Sequence, residues 1–315
     1  MNSGLDVVTF GETMVLFAPS EREILESASA YHASIGGAES NCAIGLARLG
    51  YSVSWVSRVG RDPFGARVLK TIRGEGVDVS RVETCDSAPT GLMFKEPGPG
   101  NTTRVFYYRR QSAAASLRSE QFDSLSAKYL FVTGITPALS DSNRKLTFDL
   151  VERFRAAGTK VAFDPNMRFR LWSPKEARTV FLELARNCDV LIPSLAEAEI
   201  MTGLDGGESM LDALLSLGPP QVVLKAGDKG AWYADGAERG FCPCHPVPEI
   251  DPVGAGDAFC AGVLSGLLDS QPLRDAVTRG AALGAFCVST FGDYQGLPDR
   301  NGLKAYMEGS VTPGR

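Results

Sequence analysis

From residue 113 onward, short apolar runs alternate with segments in which apolar residues recur at helical spacing. The apolar runs are predicted strands, at 129–133, 160–163, 190–192 and 221–224. The segments with helical spacing are predicted helices, at 141–157, 173–187 and 197–202. Because apolar strands that alternate with helices are typical of a sheet buried on both faces, this pattern predicts a mostly parallel sheet between two helical layers.

The N-terminal part of the chain has a different pattern, with more strands and fewer helices. Predicted strands lie at 7–10, 14–17 and 53–60, and predicted helices at 40–50 and from 62 to about 75. Two further strand-like runs, 90–96 and 104–109, are joined by the turn-forming sequence PGPGN at 97–101. This arrangement predicts a β-hairpin that precedes the alternating region.

Composition limits the class of protein. The 315 residues suffice for one large α/β domain or two smaller ones, and a net charge of −5 argues against a surface that binds nucleic acid by general positive charge. Seven cysteines without metal-ligand spacing are typical of free thiols in a reducing compartment. The pair Cys242 and Cys244 is interpreted as packing of a buried or edge strand. With no signal-peptide pattern and no apolar run of ~20 residues, we expect a cytoplasmic protein.

The sequence DPVGAGDAF at 251–259 carries the strongest chemical signal. Gly254, Ala255 and Gly256 form a predicted tight turn that leads into a helix of small residues, where unpaired backbone N–H groups can bind an anion. Asp257 is then a candidate general base, which in phosphoryl transfer accepts the proton of the attacking hydroxyl. The alternative is an ordinary first-turn aspartate after a common turn.

Other candidates lie at the start of a helix and directly after predicted strands. Gly37 precedes the helix at 40–50 and lets a ligand approach the backbone, while Asn41 offers a donor and an acceptor to a hydroxylated substrate. Asp164, Asn166 and Arg168 follow one strand, where open sheets of this type bind ligands. Lys225, Gly227 and Gly230 follow another strand. The alternative for Gly37 and Asn41 is a turn followed by a packed helix, and the alternative for the segment 225–230 is an ordinary hairpin turn.

Two signatures resemble those of the ribokinase-like (PfkB) sugar kinases. One is DPVGAGDAF at 251–259, and the other is GGAESNCA at 36–43, followed by ARLG at 47–50. The resemblance implies a ribokinase-like three-layer fold with a mostly parallel central sheet and a small β-sheet lid. It implies a single domain over 1–308, with lid segments at about 12–34 and 89–112. The Pro- and Gly-containing tail at 309–315 is expected to be frayed.

Three further segments resemble the branch of the family that phosphorylates 2-keto-3-deoxygluconate. They are RVFYYRRQSAA at 104–114, GITPALS at 134–140 and DPNMRFRLW at 164–172. The implied reaction is ATP- and Mg²⁺-dependent phosphorylation of the terminal C6 hydroxyl, in Entner–Doudoroff carbohydrate metabolism. The implied carboxylate clamp is Arg168 with Arg109, because an arginine fork suits a sugar acid. Arg110 is assigned to the solvated hairpin edge.

The resemblance assigns roles to the remaining candidates. The predicted sugar contacts are Gly37, Asn41, Tyr107, Asn166 and Asp293, and the predicted nucleotide contacts are Ser194, Lys225, Gly227, Gly230, Gly254 and Gly256. Glu197 is expected to organise magnesium through water, and Asp251 is a candidate ligand of a monovalent cation such as K⁺. Met93 departs from the family pattern, since it stands where related kinases often carry a lid tyrosine.

Two alternatives to this function stay open. One is a fructokinase or another kinase of the same family, and the other is a catalytically silent regulator that binds sugar or nucleotide on the same fold. The sequence leaves the choice between the gluconate-derived substrate and its galactonate epimer open. It indicates a homo-oligomer that forms through the exposed edge of the lid sheet.

Overall fold

The computed structural model describes residues 4–98 and 102–310. The strands are β1 (Leu5–Phe10), β2 (Met14–Pro19), β3 (Tyr31–Gly36), β4 (Val53–Val56), β5 (Arg58–Gly60), β6 (Glu83–Cys85), β7 (Leu92–Pro97), β8 (Thr103–Tyr108), β9 (Ala127–Thr133), β10 (Lys160–Asp164), β11 (Val190–Leu191), β12 (Gln221–Lys225), β13 (Gly230–Ala234) and β14 (Arg239–Pro243). The helices are α1 (Ala38–Arg48), α2 (Pro63–Gly74), α3 (Thr136–Leu139), α4 (Asp141–Ala156), α5 (Pro174–Arg186), α6 (Leu195–Thr202), α7 (Gly207–Leu215), α8 (Ala255–Leu268), α9 (Leu273–Val288) and α10 (Arg300–Met307).

The central sheet has the strand order β14-β13-β12-β11-β10-β9-β1-β4. The pairs from β4 to β12 are parallel, and β13 and β14 complete the sheet as an antiparallel edge. Successive residues of β1 face opposite cores, because side chains alternate along a strand: Val7 packs in the core under α1, α8 and α9, and Val8 in the core under α4 to α7. The predicted three-layer fold with a mostly parallel sheet is confirmed.

A smaller sheet of four strands, in the order β3-β2-β7-β8, lies apart from the central one. The predicted hairpin is β7 and β8, which pair in antiparallel register, although its turn at residues 99–101 lies outside the described residues. Strand β3 was not predicted, because Tyr31, His32 and Ser34 give it no continuous apolar run; it forms by pairing with β2. We call this smaller sheet the lid sheet.

The prediction of one strand over 53–60 was wrong. Two strands occupy this run: β4 stays in the central sheet, and β5 leaves it to pair in parallel with β6. The hydrophobic pattern does not change between them, so the break depends on which neighbour is available for pairing. The predicted frayed tail falls mostly on residues 311–315, which lie outside the described residues.

Glycines let α8 pack closely against its neighbours. A Cβ at Gly262 would lie 2.5 Å from the Cα of Gly280 on α9, and a Cβ at Gly45 on α1 would lie 3.0 Å from the Cβ of Ala261. Both distances are shorter than van der Waals contact, so larger side chains would push the helices apart. This packing holds the N-terminus of α8 in place against the central sheet. Over the described residues, none of the helices has the length and apolarity to cross a membrane.

Candidate active site

The turn at 252–256 delivers a buried aspartate to the first turn of α8. Gly254 has φ +88°, and a Cβ there would lie 2.1 Å from the carbonyl oxygen of Asp293, so glycine is required for conformation and for space. The N–H groups of the first helical turn have no partner within the helix. The N–H of Ala255 already makes a 3.3 Å hydrogen bond to the carbonyl of Pro252, which leaves Gly254 and Gly256 as the better anion donors of the predicted three.

The carboxylate of Asp257 is held by two asparagines from different elements. Asn41 Nδ2 on α1 donates to Oδ2 over 2.9 Å, and Asn166 Nδ2 donates to Oδ1 over 3.1 Å. Burial raises the pKa of Asp257 to about 6, against the opposing effects of the Asn41 hydrogen bond and the Arg168 charge. A carboxylate with this pKa is a suitable general base near neutral pH.

Asn166 links this aspartate to the end of β10. Its Nδ2 also lies 3.1 Å from Oδ2 of Asp164, and its φ of +41° is in the left-handed region, which asparagine tolerates better than most residues. Asn41 Oδ1 and Asn166 Oδ1 are buried without a hydrogen-bond partner. Both amides therefore have a free acceptor beside the candidate base, available to a hydroxyl group or to water.

Lys225 and Asp164 form an ion pair at the ends of β12 and β10, two strands that flank β11. Nζ of Lys225 donates to Oδ1 of Asp164 over 2.8 Å, and Asp164 is fully buried. Burial lowers the pKa of Lys225, but the surrounding negative charges, that of Asp164 first among them, and the hydrogen bond to Asp164 together outweigh it, so the pKa is raised overall. Lys225 therefore stays positively charged at this edge of the sheet.

Two cavities meet at the turn and at this lysine. One, of about 420 Å³, lies between the lid sheet and α8 and is lined by Asn41, Asp257 and Arg168. The other, of about 570 Å³, has a mainly apolar lining that includes residues of α9. They share four residues: Lys225, Gly227, Pro252 and Gly256. A ligand in each cavity would therefore meet the other at the anion turn, and we call them the lid cavity and the α9 cavity.

The two predicted clamp arginines have different surroundings. Arg109 Nη2 lies 2.5 Å from Oε2 of the buried Glu12, so its charge is already paired, and its guanidinium stacks over Tyr107 at 5.7 Å. Arg168 donates to the carbonyl of Met167 over 3.2 Å, and among the described residues no carboxylate lies within ion-pair distance of it. Both line the lid cavity, but Arg168 is the one whose charge is free for a ligand.

Ser194 and Glu197 have a structural role that the sequence analysis missed. They form the capping box of α6: Glu197 Oε2 accepts from the Ser194 N–H over 2.7 Å, and Ser194 Oγ accepts from the Glu197 N–H over 3.3 Å. Glu197 Oε1 also accepts from the N–H of Met167 over 2.7 Å. The spacing S-x-x-E at 194–197 was the available signal for this cap. Both side chains still line the lid cavity.

The glycines predicted to let ligands approach differ in the space around them. A Cβ at Gly37 would lie 2.4 Å from the carbonyl of Glu12, and one at Gly230 would lie 2.0 Å from the carbonyl of Cys242, so close backbone packing requires both. Gly227, at φ +61°, has no atom within 4 Å of its Cβ position and faces both cavities. Gly37 lines the lid cavity and Gly230 the α9 cavity, and Gly227 is the one of the three with open space at its Cβ position.

Asp251 and Asp293 bracket the turn, and a lysine that sequence analysis overlooked joins them. Lys95 Nζ, on β7, lies 2.5 Å from Oδ1 of Asp293 and 3.6 Å from Oδ2 of Asp251. The side chains of all three are about 95% buried. Lys95 lies two residues after Met93 on β7, so both side chains are on the inner face of the lid sheet. This spacing was the local signal for the position of Lys95.

Glu39 is another buried group that the sequence analysis did not assign. Its Oε1 accepts hydrogen bonds from Thr133 Oγ1 over 2.5 Å and from Thr136 Oγ1 over 3.0 Å, and burial raises its pKa to about 7. A Cβ at Gly11 would lie 2.3 Å from its carboxyl carbon. Glu39 thus ties α1, which carries Asn41, to the ends of β1 and β9.

Comparison with known proteins identifies the family. Residues 5–300 match the model of the pfkB family carbohydrate kinases. The chain is 41% identical to the 2-dehydro-3-deoxygluconokinase of Bacillus subtilis, covering 98% of this chain and 97% of that protein. It is 35% identical to the 2-dehydro-3-deoxygalactonokinase of Haloferax volcanii, covering 91% and 92%.

Solved structures agree in fold. A PfkB protein from Polaromonas sp. JS666 superposes with a TM-score of 0.88 at 39% identity, covering 96% of this chain and 100% of that one. A double mutant of the fructokinase from Vibrio cholerae O395, solved with fructose, ADP and a potassium ion, superposes with a TM-score of 0.85 at 27% identity, covering 97% and 99%.

Proposed function

The chain belongs to the pfkB family of carbohydrate kinases, and from this premise we propose that it transfers the γ-phosphoryl group of ATP to the C6 hydroxyl of 2-keto-3-deoxygluconate. One observation carries the substrate class: Arg168 places an unpaired guanidinium in the cavity that also contains the candidate base. A sugar acid would neutralise this charge, whereas a neutral sugar would leave it uncompensated. The similarity to a 2-dehydro-3-deoxygluconokinase supports the same substrate.

The substrate spans the lid cavity, with its carboxylate at Arg168 and its terminal hydroxyl at Asp257. Asn41 and Asn166 hold the base, and their free carbonyl oxygens accept from sugar hydroxyls. Tyr107 and Asp293 also line the cavity and are proposed to contact the sugar. In this arrangement Arg109 supports the site indirectly, because Glu12 already pairs with it.

The transfer is an in-line displacement at the γ-phosphorus. Asp257 takes the proton of the C6 hydroxyl, the new O–P bond forms, and the bond to the ADP oxygen breaks. Charge on the transferred group is stabilised by the N–H groups of Gly254 and Gly256 and by Lys225, since fixed donors in a buried site need little reorganisation. The adenine lies in the α9 cavity, where Ala281, Gly284 and Ala285 form an apolar wall.

Magnesium is the proposed metal of the reaction, where it would neutralise charge on the nucleotide phosphates. The nearby groups fit a hard cation that keeps its water ligands, because Glu197 and Asn166 supply oxygen atoms. Each oxygen of Glu197 already accepts a backbone hydrogen bond, so contact through water is favoured over direct ligation. The fructokinase from Vibrio cholerae O395 has also been solved with fructose, ADP and a calcium ion, which supports a nucleotide and a divalent metal ion as general requirements.

A coupled ADP-release assay with ATP and Mg²⁺ tests the proposal on four sugars: 2-keto-3-deoxygluconate, its galactonate epimer, fructose and ribose. We expect turnover with the keto-deoxy acids alone. Turnover on fructose in place of the acids would show that Arg168 does not select a carboxylate and would favour the fructokinase alternative. Turnover on none of the sugars would favour a silent regulator. The galactonate arm is needed because one relative is a 2-dehydro-3-deoxygalactonokinase.

Self-association through the lid sheet is a separate part of the proposal. β3 and β8 are the two edge strands of that sheet, and Tyr31 and Tyr108 on them are exposed. Open edges with exposed aromatic rings favour pairing with a second subunit. Sedimentation of the native chain would give its oligomeric state.

A further inference from the structure

Lys95 is a buried cation at the place where the sequence predicted a monovalent metal ion. Among the described residues it is the cation within ion-pair distance of Asp251 and of Asp293, at 3.6 Å and 2.5 Å. Asp251 Oδ2 also accepts from the N–H of Gly292 over 3.2 Å, and Asp251 Oδ1 accepts from the N–H of Val253 over 3.1 Å. The carboxylate that would hold a potassium ion is therefore already surrounded by protein donors.

We propose that the Lys95 ammonium replaces a diffusible monovalent cation at this place and holds the anion turn in its working geometry. A K⁺ ion at Asp251 would have to share the carboxylate with an ammonium a few ångströms away, and like charges at that distance repel. The lysine brings the same single charge without loss of a free ion's entropy, because it is part of the chain.

The geometry links Lys95 to the turn on both sides. Asp251 lies three residues before Gly254 and orders the start of the turn through the Val253 N–H. On the other side, the backbone of Asp293 packs directly on Gly254, where a Cβ would lie 2.1 Å from the Asp293 carbonyl oxygen. Lys95 is thus a positioning residue, which acts on the transferred phosphoryl group through the two aspartates.

Its location on β7 adds a second consequence. The ion pairs connect the lid sheet to loops of the central domain, and they form only when the lid sheet lies in its described position. A free metal ion would stabilise the turn whether or not the lid was in place. Because Lys95 is part of the lid sheet, its charge reaches the two aspartates only when that sheet is in place.

The test compares the native chain with Lys95→Met, a neutral side chain of similar length, at constant ionic strength with choline in place of K⁺. It rests on the kinase activity proposed above and is run with whichever sugar the enzyme accepts. The native rate should change by less than about twofold when K⁺ replaces choline, since the Lys95 ammonium and two backbone N–H groups already surround the Asp251 carboxylate. Lys95→Met should lose about tenfold or more of kcat, because two buried carboxylates are left unpaired. Added K⁺ or ammonium should restore part of that loss.

A measurement without substrate separates this inference from the kinase proposal. The thermal midpoint of the native protein should be the same in K⁺ and in choline, while that of Lys95→Met should rise with K⁺. Lys128→Met is the matched control, since Lys128 pairs with Asp6 over 2.8 Å at an exposed site and should show no cation response. If Lys95→Met does not fold, the salt response of the native chain still decides.

Three results would overturn the inference. Strong activation or stabilisation of the native chain by K⁺ would show that a metal ion acts in addition to the lysine. A Lys95→Met variant with native turnover would show that the ammonium is dispensable. Loss of turnover that neither K⁺ nor ammonium restores would show that the lysine does more than supply a cation.

Discussion

The two ends of the lid cavity are built differently. At the end near α8, Asp257 lies in the first turn of a helix that packs through glycines against α1 and α9, and two asparagines hold its carboxylate. At the lid end, Lys95 lies on a strand of a separate sheet, Glu12 and Arg109 lie in segments that adjoin its strands, and these side chains form ion pairs. The first end depends on backbone geometry and close packing, and the second on charged groups that meet across the fold.

This difference suggests that the two ends of the cavity have different functions. The helix end would carry the chemical step, which is common to sugar kinases of the family. The lid end would couple the position of the lid sheet to the anion turn through Lys95, and the choice of substrate would depend on Arg168. Substitutions at the first end should therefore change kcat for every sugar, as should loss of Lys95, whereas substitution of Arg168 should change the preference among sugars.

The largest effect is expected from Asp257→Asn, which keeps the shape of the side chain and removes the base. We expect kcat to fall by roughly 10²- to 10⁴-fold, the usual contribution of general base catalysis. Nucleotide affinity should change little, since the α9 cavity is untouched. Single-turnover kinetics and nucleotide titration would separate the two quantities. A near-native rate would show that Asp257 is not the general base. It would also contradict the proposal that the α8 end of the cavity carries the chemical step.

Arg168→Lys tests the recognition of the sugar acid, because it keeps the charge and loses the planar fork. We expect KM for the sugar acid to rise by roughly 10- to 100-fold, the cost of one charge-assisted hydrogen bond, with a smaller change in kcat. Arg178→Lys is the matched control, since Arg178 is exposed on α5 and lines neither cavity. An unchanged preference for acids over neutral sugars in Arg168→Lys would contradict the proposed carboxylate contact.

The pH dependence sharpens the assignment of the base. Only the charged form of Asp257 accepts a proton, and burial raises its pKa to about 6, so the acidic limb of kcat/KM should lie near that pH. Below it the rate should fall about tenfold per pH unit. In Asn41→Ala the limb should move to higher pH, since the Asn41 hydrogen bond stabilises the carboxylate. A limb that stays in place in Asn41→Ala would assign the titration to another group.

Ser194→Ala should have the smallest effect on the reaction. Loss of the capping hydroxyl should lower the free energy of unfolding by about 1 kcal/mol, measured by urea denaturation. KM for ATP should stay within about twofold of the native value if the serine acts mainly as a cap. A large increase in KM with unchanged stability would instead support the phosphate contact that the sequence suggested.

Features specified by neighbouring residues were predicted more accurately than contacts between distant parts of the chain. The sequence analysis correctly took Gly254 as part of a tight turn, because a turn and the helix after it are specified by neighbouring residues. It also proposed Gly230 as a nucleotide contact; this glycine lines the α9 cavity, and the close approach of β14 requires it as well. The capping partner of Ser194 lies three residues away and could have been predicted from the sequence. The sequence analysis instead assigned Ser194 to phosphate binding.

The sequence by itself determined the alternating strands and helices, the anion turn with its aspartate, and the family. These features depend on periodicity and on residues close together in the chain. Tertiary structure alone decided that Arg109 is paired with Glu12 while Arg168 is free, and that Lys95 reaches Asp293 across 198 positions. Ion pairs of this kind leave little trace in local sequence, because the energy of each depends on which charge the fold brings into the same buried space.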